Sequence, residues 1–491
     1  MLKERKLKHE YVLGGNCYGN CKIAGYDGYI SGTIMDENII KEIDDGEYYF
    51  AEIKTSASDS DYHTFCYDYY FDGVFLNFNL NEIDTLKYFG EDLSDELFPK
   101  SELTNYIESL LKENNMVSSD NSHDVDIVNG CLKITLPNKK LDTSTLNLCS
   151  KILEGIRNYY SNKGVHITRM FGSYILLKND NNELKAIKAT PIPIKYCPLM
   201  IKLLKEVGGE TAEKLINSLE CSNTDDQSEL MCELINQVVI KGGYFDTNRP
   251  LNSCEANVLF GASETISSAF KSELLDAAVI VSNNLGTIIT TNDTNTQGAV
   301  KRMTGLFYTS PSEEITKEAN RVGIIQVFPY TATIDQLAGV KEAIRRGYKK
   351  IAVTLAAQDN ELLEQLKDLE NNDVTIYKFG LCSTGINKKT ALLMKDNADI
   401  VWSCASKYVN EYIEPNAIAQ VGVKIPVHIM TKNGWDLVRN HLQVMSQLAD
   451  LENVQLCSGD SKPVFLHSDF QIKQLVKKKI KKCNDCPHPC I

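Results

Sequence analysis

The chain has 491 residues, enough for several domains with ample core, and its hydrophobic share of 43% and charged share of 24% are ordinary globular values. A formal net charge of -13 argues against nucleic acid as a partner, because phosphate binding needs a basic surface. No apolar run approaches the roughly 18 residues a bilayer span requires, and the opening MLKERKLKHEYVL has no apolar core of a secretory signal, so the expected location is cytoplasmic.

Fifteen cysteines are many for such a chain. Without a secretory signal a disulfide framework is not expected, which leaves buried thiols, metal ligands and reactive thiols.

Residues 1–164 read as an α+β extension domain that is acidic and rich in tyrosine. It opens with Cys17 and Cys21 in a Gly- and Asn-rich loop. Alternating runs at Tyr48–Ile53 and Phe71–Leu76 predict antiparallel strands. Leu103, Ile107, Leu110 and Leu111 predict one buried helix face over Glu102–Asn114. The polar stretch Ser118–Asp126 reads as a linker, Cys131–Leu136 as a strand and Leu146–Tyr159 as a helix.

Residues 165–250 form a lead-in: a hairpin from His166 to Ile187, extended prolines at Pro191–Pro198, then helices at Leu199–Val207 and Leu230–Lys241. Residues 251–456 carry a βα rhythm. Val258–Phe260, Ala277–Val281, Gly323–Val327, Lys350–Thr354, Val374–Tyr377, Ile400–Trp402 and Ile425–Ile429 are the predicted strands. Helical patterns fall at Ile334–Arg346, Glu361–Glu370 and Lys388–Asn397. Short apolar strands alternating with amphipathic helices predict α/β architecture, with a doubly wound (Rossmann-like), mostly parallel sheet in the C-terminal half. Residues 457–491 form a basic, cysteine-rich tail whose lysines from Lys473 to Lys482 read as a solvated helix face.

Ligands of open α/β sheets sit at the carboxyl ends of strands. The polar run after Val281 therefore nominates Asn283, Asn284 and Thr287 as ligand-binding residues, with turn formation as the competing explanation. Ser263, Glu264, Gln336 and Thr384 join them by position, and Arg302 is a candidate clamp for a carboxylate or phosphate. Cys404 follows the strand Ile400–Trp402, and Cys382 occupies the equivalent place one strand earlier. A thiol beside Lys407 and a helix N-terminus would have a lowered pKa and act as a nucleophile, with Lys407 or Asp335 assisting. The plainer alternatives are a buried inert thiol and, for Asp335, a helix N-cap. Cys483, Cys486 and Cys490 have a spacing that suits zinc or an iron–sulfur cluster, with Cys17, Cys21 or His488 to complete the ligand set. No cofactor is identified beyond that.

Taken together, Tyr196-Cys-Pro-Leu199, Phe260-Gly-Ala-Ser-Glu264, Asp276-Ala-Ala-Val-Ile-Val281, Gln297-Gly298, Arg302-Met-Thr-Gly-Leu306, Thr309-Ser-Pro311, Ile334-Asp-Gln336, Cys404-Ala-Ser-Lys407 and the Gly422–Pro426 segment resemble the methanogenesis marker protein 8 family, over about residues 166–444. The resemblance implies a methanogenic archaeon and a role in maturing or activating methyl-coenzyme M reductase or its cofactor, with the reductase or its assembly factors as partners. A small polar or anionic ligand at the sheet edge, a thiol-dependent enzyme acting on an acyl or phosphorylated metabolite, and a metal carrier are the three functions left open.

Overall fold

The computed structural model describes residues 31–32, 49–54, 62–68, 73–117, 123–139, 143–181, 183–194, 198–221, 224–255, 258–300, 305–357, 361–422, 425–446, 461–468 and 471–479. They divide into two compact units. The first comprises residues 1–163 with the excursions 310–313 and 326–333, and the second the remainder.

The first unit holds a six-stranded sheet in the order β1-β2-β3-β4-β6-β5. Its strands are β1 (Ser31–Gly32), β2 (Tyr49–Lys54), β3 (Tyr62–Asp68), β4 (Gly73–Asn79), β5 (Asp124–Val128) and β6 (Cys131–Pro137). Alternation along β4 and β6 puts Val74, Leu76 and Phe78 opposite Leu136, Ile134 and Leu132. Those six side chains are buried against Leu103, Ile107 and Leu111 of helix Lys100–Glu113, and against Leu148, Ile152 and Ile156 of helix Thr143–Lys163. The expected linker is corrected at its end: Asp124–Asp126 begins β5, paired to β6.

The second unit begins with an antiparallel sheet in the order β12-β7-β8-β9. It consists of β7 (His166–Met170), β8 (Ser173–Asp180), β9 (Glu183–Ala189) and the later β12 (Gly305–Thr309). Because β12 pairs with β7, the lead-in and the segment after residue 251 form a single body. Helices Pro198–Val207, Gly209–Cys221 and Thr224–Ile235 pack on this sheet through Leu204, Leu215, Met231 and Leu234, and a wider π-helical turn follows at Asn236–Ile240.

The larger sheet has ten strands in the order β13-β11-β10-β14-β15-β16-β18-β17-β19-β20. They are β10 (Ala277–Ser282), β11 (Gly286–Thr290), β13 (Ile325–Gln326), β14 (Lys350–Ala356), β15 (Thr375–Leu381), β16 (Ile400–Trp402), β17 (Ala419–Val421), β18 (Val427–Ile429), β19 (Ser461–Ser468) and β20 (Gln471–Lys479). Four of them, β10, β14, β15 and β16, run parallel, whereas β11 and β18 are antiparallel to their neighbours β10 and β16. The architecture is therefore mixed α/β with a mixed sheet. Parallel pairing needs a crossover, and the short turn between β10 and β11 leaves room only for a hairpin. Both faces of β10 are covered. Ala278 and Ile280 pack with Ile266, Ala269 and Leu442, while Val279 lies under helix Gln336–Arg345.

Three further expectations are corrected. Val258–Phe260 is a turn, because its backbone groups are claimed by side chains instead of a ladder. Val258 N–H donates to Glu264 Oε1, Leu259 O faces His441 Nε2, and Phe260 O accepts from Trp402 Nε1. The polar run after Val281 is the buried hairpin turn between β10 and β11. Lys473–Lys479 belongs to a strand, β20, paired with β19, and not to a helix.

Candidate ligand-binding edge

Because β10, β14, β15 and β16 are parallel, their carboxyl ends lie on one edge of the large sheet. Along the run β13-β11-β10-β14-β15-β16 the chain first builds outward from β10, then returns to its other side with β14. That reversal is where α/β sheets leave a crevice for ligands. The topology brings onto this edge Asn283, Asn284, Asp335, Gln336, Thr384, Cys404 and Lys407.

Most of the nominated side chains are occupied. Thr287 Oγ1 accepts the Asp335 N–H at 2.8 Å, and the Asp335 carboxylate accepts the Ala338 N–H at 2.9 Å, so this acid is an N-cap. Gln336 is buried. Glu264 accepts from Val258 N–H, Ser263 Oγ and Gln297 Nε2, and so holds its own loop together. Lys407 is exposed, with its ammonium 5.3 Å from the Tyr408 ring centre. Arg302 and the candidate metal ligands Cys17, Cys21, Cys483, Cys486 and Cys490 lie outside the described residues. Among the described residues no group of three or more His, Cys, Asp or Glu is placed to hold a metal ion.

Cys382 and Cys404 both act on the charge of a residue that the sequence pattern did not single out, Arg169. Arg169, on β7, donates to the carbonyls of Gly172, Cys382 and Thr384 at 3.1, 3.1 and 2.8 Å, with its guanidinium 5.0 Å from the Tyr174 ring centre. Ser383 Oγ donates to Trp402 O and accepts from Cys404 N–H. Burial pushes the Cys404 thiol above its ordinary value, outweighing hydrogen bonds from Thr384 and Ser383 and the charge of Arg169. The expected activated thiolate is thus reversed in direction: desolvation dominates at this strand end.

A second arginine outside the sequence expectations sits at the end of β10. Arg249 donates to Asp246 O, to Ser282 Oγ at 3.2 Å and to Asn283 O at 2.6 Å. Burial lowers its pKa to about 10, against the opposing pull of Asp246. Beside it, Asn283 is fully buried and gives Nδ2 to Tyr244 O. His166 packs on Phe245 at 4.9 Å between ring centres, with Nδ1 2.8 Å from Thr309 Oγ1. Burial, with a smaller push from Arg249, takes His166 down to about 3, so the ring is neutral at pH 7. Two cations, neither in an ion pair among the described residues, thus stand at the edge, met by carbonyls, a hydroxyl and an aromatic face. Such a setting favours an anion. The signal for Arg249 was its turn, Asp246-Thr-Asn-Arg-Pro250; for Arg169 it was a charged residue in the otherwise buried strand His166–Met170.

Among curated proteins, an uncharacterized protein of Methanocaldococcus jannaschii is 33% identical over 294 residues, which cover 60% of this chain and 93% of that protein. No solved structure matches significantly. A family model described as uncharacterized protein conserved in archaea (DUF2099) matches residues 166–443, the span that contains both arginines and every described strand end discussed above. That span is more than half of the sequence, and the chain belongs to this archaeal family.

Proposed function

We propose that the chain is a cytoplasmic, methanogenesis-associated protein of the marker protein 8 type, which binds a small polar or anionic ligand at the carboxyl edge of β10–β16 and supports maturation or activation of methyl-coenzyme M reductase or its cofactor. In this reading the large sheet is Rossmann-like in its strand order, with the ligand at the reversal between β10 and β14. The observation that carries the ligand is the pair of guanidiniums, buried Arg169 and half-buried Arg249, held by neutral acceptors on one edge. The link to methane formation rests on the sequence motifs and on a relative from Methanocaldococcus jannaschii. A thiol-dependent reaction at Cys404 is the weaker reading, because burial keeps the thiol protonated.

Calorimetry on the full chain with acetate, sulfate and inorganic phosphate tests the ligand. At least one is expected to bind, and Arg249→Gln is expected to weaken it about tenfold, the usual loss for one charge-assisted contact. Deletion of the gene in a methanogen tests the role: slowed methanogenic growth with an inactive reductase is expected. Unimpaired growth with active reductase would overturn it.

A further inference from the structure

The groups around Arg249 leave a definite set of hydrogen-bonding capacity unused. Asn283 commits Nδ2 to Tyr244 O, and its Oδ1 is sealed from solvent with no partner. A buried acceptor in that state is costly, so something is expected to donate to it. Thr309 Oγ1 accepts the Asn284 N–H and lies 2.8 Å from His166 Nδ1. A guanidinium has five N–H donors. Three of those on Arg249 are accounted for by Asp246 O, Ser282 Oγ and Asn283 O. Arg249 is also partly exposed, while Ser282 and Asn283, to which it donates, are buried. The segment from Tyr244 to Arg249, bonded to the β10 turn at Asn283, is therefore the cover through which a small molecule would enter.

We infer that the end of β10 binds a small monoanion with a hydroxyl beside its acidic group, such as a 2-hydroxy carboxylate or a hydroxyalkyl sulfonate. The acidic oxygens take the remaining N–H groups of Arg249, and the hydroxyl donates its proton to Asn283 Oδ1. One cation beside a neutral imidazole balances a single negative charge, and a second charge would be left buried without a partner. This inference rests on the anion-binding reading above and adds the second group of the ligand.

Calorimetry on the wild-type full chain with glycolate, methoxyacetate and acetate separates the two levels. Glycolate is expected to bind about tenfold more tightly than acetate, because a site built to pair a donor rejects the analogue that lacks one. Methoxyacetate, which has no proton to give, should bind no better than acetate. Asn283→Ala, with its fold checked by circular dichroism, should bring glycolate and acetate to equal affinity. Equal binding of all three would mean that water satisfies Asn283; the inference falls and the anion site stands. If none of these anions binds, and sulfate and phosphate do not either, both readings fall together.

Discussion

His166 sits in an environment far from that of a free side chain. Its ring is buried against Phe245 and bonded to Thr309, and burial holds its pKa near 3, well below its ordinary 6.5. The sign of the linkage follows. Above the ordinary value neither the folded nor the unfolded ring binds a proton, and the stability contribution is complete. As the pH falls below about 6.5 the unfolded state takes up a proton that the folded state refuses, and stability drops until the pH reaches about 3. By pH 5 the loss should be about 2 kcal/mol. Replacement by glutamine, which keeps a hydrogen-bonding group near Thr309, should flatten urea-unfolding stability between pH 7 and pH 5 by that amount. An unchanged slope would mean that the ring is already solvated in the fold. The same burial explains why the thiol of Cys404 is raised while the hydroxyls of Ser383 and Thr384 and the charge of Arg169 pull the other way. At this edge desolvation is the larger effect on both groups.

At the scale of elements, helix Gln336–Arg345 is fixed by a close approach. A Cβ added at Gly339 would stand 2.6 Å from Val279 Cγ1 and 2.7 Å from Thr287 Cγ2, so only glycine lets the helix lie this near β10 and β11. The Asp335 N–H bond to Thr287 Oγ1 pins the helix start to the same hairpin. Gly339→Ala should cost about 1–3 kcal/mol, the usual range for overpacking. Combined with Val279→Ala, the double variant should be more stable than the sum of the two single losses predicts, as measured in a double-mutant cycle of urea unfolding. Strict additivity would show that the helix had already moved away. Elements of this region were legible where period decided the matter: helix Lys388–Asn397 and strand β16 have the bounds their apolar spacing predicts. The hairpin was not legible. Asn283, Asn284 and Thr287 read by residue type as a ligand-facing or turn-forming polar run, but in the fold they and Thr290 are all buried. Tyr244 O, Thr309 Oγ1, Asp335 N–H and Thr296 Oγ1 meet them from elsewhere in the chain. Arg169 was hidden for the same reason, since its acceptors Cys382 O and Thr384 O are more than two hundred positions away.

Across the whole molecule, the two units are interleaved in sequence, and this has a measurable consequence. Residues 326–333 interrupt the second unit but pack with the first. Asn81 Nδ2 donates to Thr331 O at 3.0 Å, and the Arg157 guanidinium lies 5.6 Å from the Tyr330 ring centre. The family match spans residues 166–443, and the 294-residue match to the Methanocaldococcus jannaschii relative takes up 93% of that protein, which leaves little of it to correspond to the rest of this chain. The second unit has its own apolar core, so a fragment beginning at Gly164 is expected to fold. What it loses is the set of partners for one segment. In hydrogen exchange followed by mass spectrometry, residues 326–333 of that fragment should lose protection relative to the full chain. Strands β14 and β15, whose parallel ladder runs from Lys350↔Thr375 to Ala356↔Leu381, should keep theirs. Equal protection of 326–333 in both proteins would show that the segment is held by the second unit alone. Collapse of protection in β14 and β15 would show instead that the large sheet depends on the N-terminal third for its stability, which the continuity of its core argues against.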